Sequence, residues 1–153
     1  VRVLGVMAIS GASAALLAGC AQPLVVAPAP YAADPDCARV MLAMPNSVGG
    51  LDVRGTTSQA TAAYGDEYPI VVRCGVEPPG PTTDACVAVE ASGGSQDWLV
   101  VEDGDHWRAT SFGRSPAVEV LIPLERAQDA VSDLLAELSA PAALAPANGL
   151  SCQ

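Results

Sequence analysis

Apolar and polar positions alternate from Tyr68 to Pro123, and the alternation divides this part of the chain into strands. Ile70, Val72, Cys74 and Val76 alternate with Val71 and Arg73, so a strand here turns Cys74 to its apolar face and Arg73 to the other. Pro78-Pro79-Gly80-Pro81 stops that strand in a loop. In the next strand Val87 and Val89 share one face, and Cys86, Ala88 and Glu90 share the other. Asp97 to Gly113 reads as a hairpin turning at Asp103-Gly104, which pairs Val101 with His106, Val100 with Trp107, Leu99 with Arg108 and Trp98 with Ala109. That register gathers Trp98, Val100, Trp107 and Ala109 on one face, a slab suited to a core rather than to a sugar-binding cleft. Val118, Val120 and Ile122 supply a further strand, ended by Pro123.

Helical spacing frames this sheet on both sides. After a capping aspartate, Asp34 or Asp36, the residues Cys37, Val40, Met41 and Met44 fall on one face of a short helix that ends before Pro45. From about Leu124 to Leu138, Ala127, Val131, Leu134, Leu135 and Leu138 form an apolar stripe, with Glu125, Arg126, Asp129, Asp133 and Glu137 outside it. Leu51 to Arg54 reads as a short strand, and Thr56 to Gly65 as a loop with a helical turn. The pattern predicts an α+β fold: an antiparallel sheet of four to five strands with an N-terminal and a C-terminal helix packed on one face.

The first residues follow a different rule. Arg2 is the only charge before Asp34, and an apolar run leads to Leu17-Ala18-Gly19-Cys20. This is the pattern of a lipoprotein leader, cut before a cysteine that then carries acyl chains. An uncleaved membrane helix is the alternative, but the run is short and interrupted by glycine. The organisation expected is a signal peptide over residues 1–19, a lipidated Cys20 with a Pro/Ala-rich tether over 20–36, a single domain over 37–139 and a tail over 140–153. An extended tether of that length would lift the domain up to about 50 Å from the membrane. The tail after Pro141 has no period of its own and is expected to be held only by Cys152.

Charge narrows the partners. The formal net charge is −10, and the cations are seven arginines with no lysine. No basic run exists to hold nucleic acid or an anionic lipid surface, so the expected partners are the membrane, through the lipid, and an envelope protein or cell-wall ligand. With Cys20 acylated, Cys37, Cys74, Cys86 and Cys152 remain, an even number in an exported chain, which implies two disulfides. Long irregular spacings argue against zinc, and no metal or cofactor is expected. Cys37 and Cys74 both face inward, whereas Cys86 points outward within reach of the tail, which favours pairing Cys37 with Cys74 and Cys86 with Cys152. The alternative joins Cys74 to Cys86 across the proline loop and leaves Cys37 for Cys152.

Catalytic candidates are sparse. His106 is the only histidine, and Ser111, five positions along an extended strand, lies about 16 Å away, too far for a nucleophile and base. No Gly-x-Ser-x-Gly elbow is present. Glu102, Asp103 and Asp105 cluster at the hairpin tip without the regular oxygen spacing of a calcium loop. Arg73, Arg108 and Arg114 are the candidate binding residues. They form an outer-face cationic patch able to hold a carboxylate or phosphate, unless Asp97, Glu90 or Glu119 neutralises them.

Several segments in order, namely Asp34-Pro35-Asp36-Cys37, Pro69 to Val76, Asp97-Trp98 and Thr110 to Val120, resemble an actinobacterial family of exported proteins known as domain of unknown function 3515. The resemblance runs from Asp34 to Leu138, and its most specific parts are Arg73-Cys74-Gly75-Val76 and the Gly-Arg-x-Pro-Ala-Val-Glu-Val of residues 113–120. Tyr64-Gly65 departs from the Trp-Gly frequent at that place. The resemblance implies an envelope protein or lipoprotein without assigned catalytic residues, and it suits pairing Cys37 with Cys74 and Cys86 with Cys152. The functional expectation is a non-enzymatic, lipid-anchored binding or accessory module on the extracytoplasmic face of the cell membrane. A small-ligand or cell-wall-fragment receptor using the arginine patch and an unrecognised hydrolase are the alternatives.

Overall fold

A computed structural model describes residues 22–92, 94–126 and 131–153. The leader, Cys20, Ala127 and Asp129 lie outside the described residues. Eight strands form one sheet: β1 (Ser47–Val48), β2 (Leu51–Arg54), β3 (Thr61–Tyr64), β4 (Ile70–Val76), β5 (Cys86–Ala91), β6 (Gly94–Asp103), β7 (His106–Phe112) and β8 (Ala117–Pro123). Their order is β1-β2-β3-β4-β8-β7-β6-β5, and every neighbouring pair is antiparallel. Two helices, α1 (Pro35–Leu42) and α2 (Val131–Ala142), join one core with the inward face of the sheet. The fold is α+β as the periodicity predicts, but the sheet is larger than four to five strands.

The additional strands have identifiable causes. Gly49 and Gly50 take φ of 56° and 74° between Val48 and Leu51, the left-handed conformations that a tight hairpin demands, and so join β1 to β2. β3, expected as loop, carries two alanines of low strand propensity, yet it pairs on both sides and buries Ala62, Ala63 and Tyr64. The β6–β7 hairpin turns one residue later than expected, so Asp103 faces His106 and Val100 faces Ala109. Moving the turn by one residue moves the register by two, which returns every side chain to its predicted face. Trp98 and Ala109 are accordingly fully buried, and Trp107 and Val100 pack at the edge of the core.

In α1, the Asp34 side chain accepts from the Asp36 amide at 2.9 Å, Pro35 opens the helix, and Cys37 and Val40 are buried. The expected start of the second helix at Leu124 is instead a 3-10 turn, Leu124–Arg126. α2 then runs beyond Leu138 and includes Pro141 in its last turn. A proline there removes one late helical hydrogen bond, and burial of Pro141 and Ala142 against the sheet offsets the loss.

Two segments expected to be loose are attached. In the tether region, the Leu24 amide donates to the Gly55 carbonyl at 2.8 Å, the Thr57 amide to the Leu24 carbonyl at 3.0 Å, and the Tyr31 amide to the Gly75 carbonyl at 2.8 Å. Ala29 is buried with Val76 and Ala117. Residues 24–32 are therefore laid along the domain, and their prolines make them extended without making them free. In the tail, Ala145 is buried, the Ser115 amide donates to the Pro146 carbonyl at 2.9 Å, and the Asn148 amide to the Gly113 carbonyl at 3.0 Å. The tail is thus fastened well before Cys152.

Candidate functional site

The four cysteines among the described residues form two disulfides, Cys37–Cys74 and Cys86–Cys152, each with a Cα–Cα distance of 5.6 Å. The first is buried between α1 and β4. The second clips the tail to the outer face of β5, where the Cys152 amide also donates to Asp97 Oδ2 at 2.7 Å. Asp97 is therefore committed to the tail and not to an arginine.

The three candidate arginines do not assemble into one patch. Arg73 stands opposite Glu119 and donates to its Oε1 from Nε at 2.8 Å and from Nη2 at 2.5 Å. Its role is the structural alternative foreseen for it. Arg108 lies on the same outer face, with Nη1 3.5 Å from Asp103 Oδ2. Arg114 departs to the helix side: its Nε donates to Gln96 Oε1 at 2.9 Å and its Nη1 to the Ala145 carbonyl at 3.1 Å. The separation follows from the chain path, because Arg114 belongs to the β7–β8 connection and not to a strand whose pleat would aim it outward.

At the hairpin tip, His106 Nδ1 lies 2.9 Å from Asp105 Oδ1, and this hydrogen bond holds the Asp105 carboxyl below its ordinary range. Asp103 lies between His106 and Arg108. Ser111 is fully buried, and its Oγ accepts from the Val118 amide at 2.8 Å, so it is not poised as a nucleophile. Among the described residues no cluster of three or more His, Cys, Asp or Glu side chains could hold a metal ion, and no helix is long and apolar enough to cross a membrane. Tyr64 is fully buried and donates its hydroxyl to the Pro45 carbonyl at 3.1 Å; burial and the Glu137 charge push its pKa up to about 12. Glu77 raises the phenol of Tyr31 through a hydrogen bond and its charge.

Arg114 borders a cleft of about 520 Å³ on the helix side. Ala43 after α1, Ser92, Gly94 and Ser95 at the β5–β6 turn, and Ala140, Pro141, Ala143 and Leu144 around the end of α2 form its walls. The sequence reading placed Arg114 among the binding candidates but missed this cleft. It depends on α2 continuing past Leu138, and the helical stripe used to place α2 ended there.

Fold and site together describe a small α+β domain stapled by two disulfides, with Arg114 beside an open cleft at the end of α2. The chain matches the family described as protein of unknown function (DUF3515) over residues 1–146, and it belongs to that family. No curated protein and no solved structure matches it.

Proposed function

We propose that this family member works outside the cytoplasm, anchored through acyl chains on Cys20, as a non-enzymatic binding or accessory module of the cell envelope. The observation that carries the reading is the pair of disulfides, since such bonds form and persist in oxidising compartments and are rare in cytosol. The lipobox Leu17-Ala18-Gly19-Cys20 supports the anchor. The full burial of Ser111, whose Oγ accepts from the Val118 amide, supports binding over hydrolysis by that serine.

The test is metabolic labelling with a clickable fatty acid, followed by fractionation and intact mass measurement without reduction. The expected product is a membrane-associated chain that begins at an acylated Cys20 and carries both bridges, with label lost in Cys20→Ala. A soluble cytosolic chain with unmodified Cys20 and four free thiols would overturn the reading.

A further inference from the structure

We propose that the cleft at the end of α2 binds the C-terminal carboxylate of a short peptide with small apolar side chains, held by Arg114. The first ground is charge. Arg39, Arg54, Arg73 and Arg108 each lie against a carboxylate, those of Asp36, Asp66, Glu119 and Asp103. Arg114 and Arg126 have none among the described residues, although the chain as a whole is strongly acidic, and Arg126 donates to the Tyr68 and Glu67 backbone carbonyls away from this cleft. The two protein partners of Arg114, Gln96 and the Ala145 carbonyl, are neutral.

The second ground is preorganisation. Gln96 is 2% exposed, and its Nε2 donates to the Asp97 carbonyl at 2.7 Å and the Phe112 carbonyl at 3.0 Å. Its oxygen is thereby turned toward Arg114 Nε and fixed. Of the five guanidinium donors, those on Nη2 have no acceptor among the described residues, so the fork keeps capacity for one carboxylate. A guanidinium fixed before binding loses little freedom when an anion arrives.

The third ground is the character of the walls. Ala43, Ala140, Pro141, Ala143 and Leu144 are apolar, and the polar lining other than Arg114 consists of serines and backbone. One cation among apolar walls suits a monoanion with an apolar body better than a phosphate, whose double charge needs further cations. The cleft is open and has the volume of a few small residues, within the range of ligand pockets.

This assignment deepens the binding-module reading and is tested on purified protein, whereas export and acylation are read in cells, so either can fail alone. The full chain with both disulfides formed is titrated with N-acetyl-alanyl-alanine and with its C-terminal amide, and binding is followed by amide chemical shifts. Saturable shifts at Gly94, Ser95, Arg114 and Leu144 are expected with the free acid, with affinity weaker by about tenfold or more for the amide. Arg114→Gln should abolish binding. Ala140→Glu leaves the Arg114 hydrogen bonds in place, supplies a competing carboxylate within the cleft, and should abolish binding in a folded protein. Equal affinity for acid and amide, shifts centred elsewhere, absence of shifts up to about 20 mM peptide, or saturation by inorganic phosphate or decanoate in preference to the peptide would each overturn the assignment.

Discussion

Arg73 and Glu119 stand directly opposite one another on β4 and β8, and their ion pair joins the two segments that carry the family resemblance most specifically. The Glu119 side chain is only 8% exposed, and the guanidinium is its ion-pair partner. Arg73→Ala strands a nearly buried carboxylate and should cost about 3 kcal/mol in urea unfolding. The double replacement Arg73→Met with Glu119→Leu should cost clearly less, since it removes both charges and keeps apolar volume. A loss below about 0.5 kcal/mol for Arg73→Ala would show that water screens the pair as at an open surface.

The two disulfides close loops of different length, with sequence separations of 37 and 66. Chain entropy alone gives about 4 kcal/mol for either. The surroundings separate them, because Cys37 and Cys74 are core residues whereas Cys86 and Cys152 lie partly exposed. Replacing Cys86 and Cys152 by serine should lower stability while the near-ultraviolet signal of buried Trp98 survives at low temperature. Replacing Cys37 and Cys74 by serine also puts hydroxyls into the apolar core and should cost more, by about 1–3 kcal/mol. Calorimetry of the two double variants checks the order, and the reverse order would refute it.

Gly75 holds the N-terminal segment in place. Its φ is 97°, and a Cβ there would collide with the Tyr31 backbone, whose amide donates to the Gly75 carbonyl. Gly75→Ala therefore combines backbone strain with loss of a close approach, and should cost about 2 kcal/mol. Hydrogen exchange should accelerate at Tyr31, and at Leu24 if the segment lifts as a unit, while β6 and β7 amides exchange as before. Unchanged exchange at Tyr31 would mean that the segment is held without this contact.

Much of the architecture was legible because strand period and helix period each have one strong reading here. Face assignment survived even a wrong register: Trp98 is buried and Cys86 faces outward because faces depend only on parity along the strand. The favoured disulfide pairing rested on the same parity for Cys74 and Cys86 and on helical spacing for Cys37, and it is the pairing the structure forms, not the Cys74–Cys86 alternative. β3 was not legible, because Thr61-Ala62-Ala63-Tyr64 becomes a strand through its neighbours and not by propensity. Nor was the docking of residues 24–32, since their prolines specify an extended backbone and say nothing of what lies beside it. The site was harder still. Arg114 was singled out for its chemistry, but its place beside Gln96 and Ala145 depends on a connection and a tail without periodicity.

Tyr64 links the fold to alkaline pH. Its hydroxyl is buried against the Pro45 carbonyl, and its pKa in the folded protein, about 12, exceeds the ordinary value of 10.0 that it regains on unfolding. Below pH 10 both states keep the proton and stability is unaffected by this group. Above pH 10 the unfolded state ionises first and binds fewer protons, so stability falls by up to about 1.4 kcal/mol per pH unit until the folded phenol also ionises. Tyr64→Phe should cost about 1 kcal/mol at neutral pH, by leaving the Pro45 carbonyl without its donor, and should flatten the alkaline fall. The measurement is urea unfolding of wild type and variant from about pH 8 to 11. Parallel falls in the two proteins would assign the alkaline loss to other groups, the Glu77-linked phenol of Tyr31 first among them.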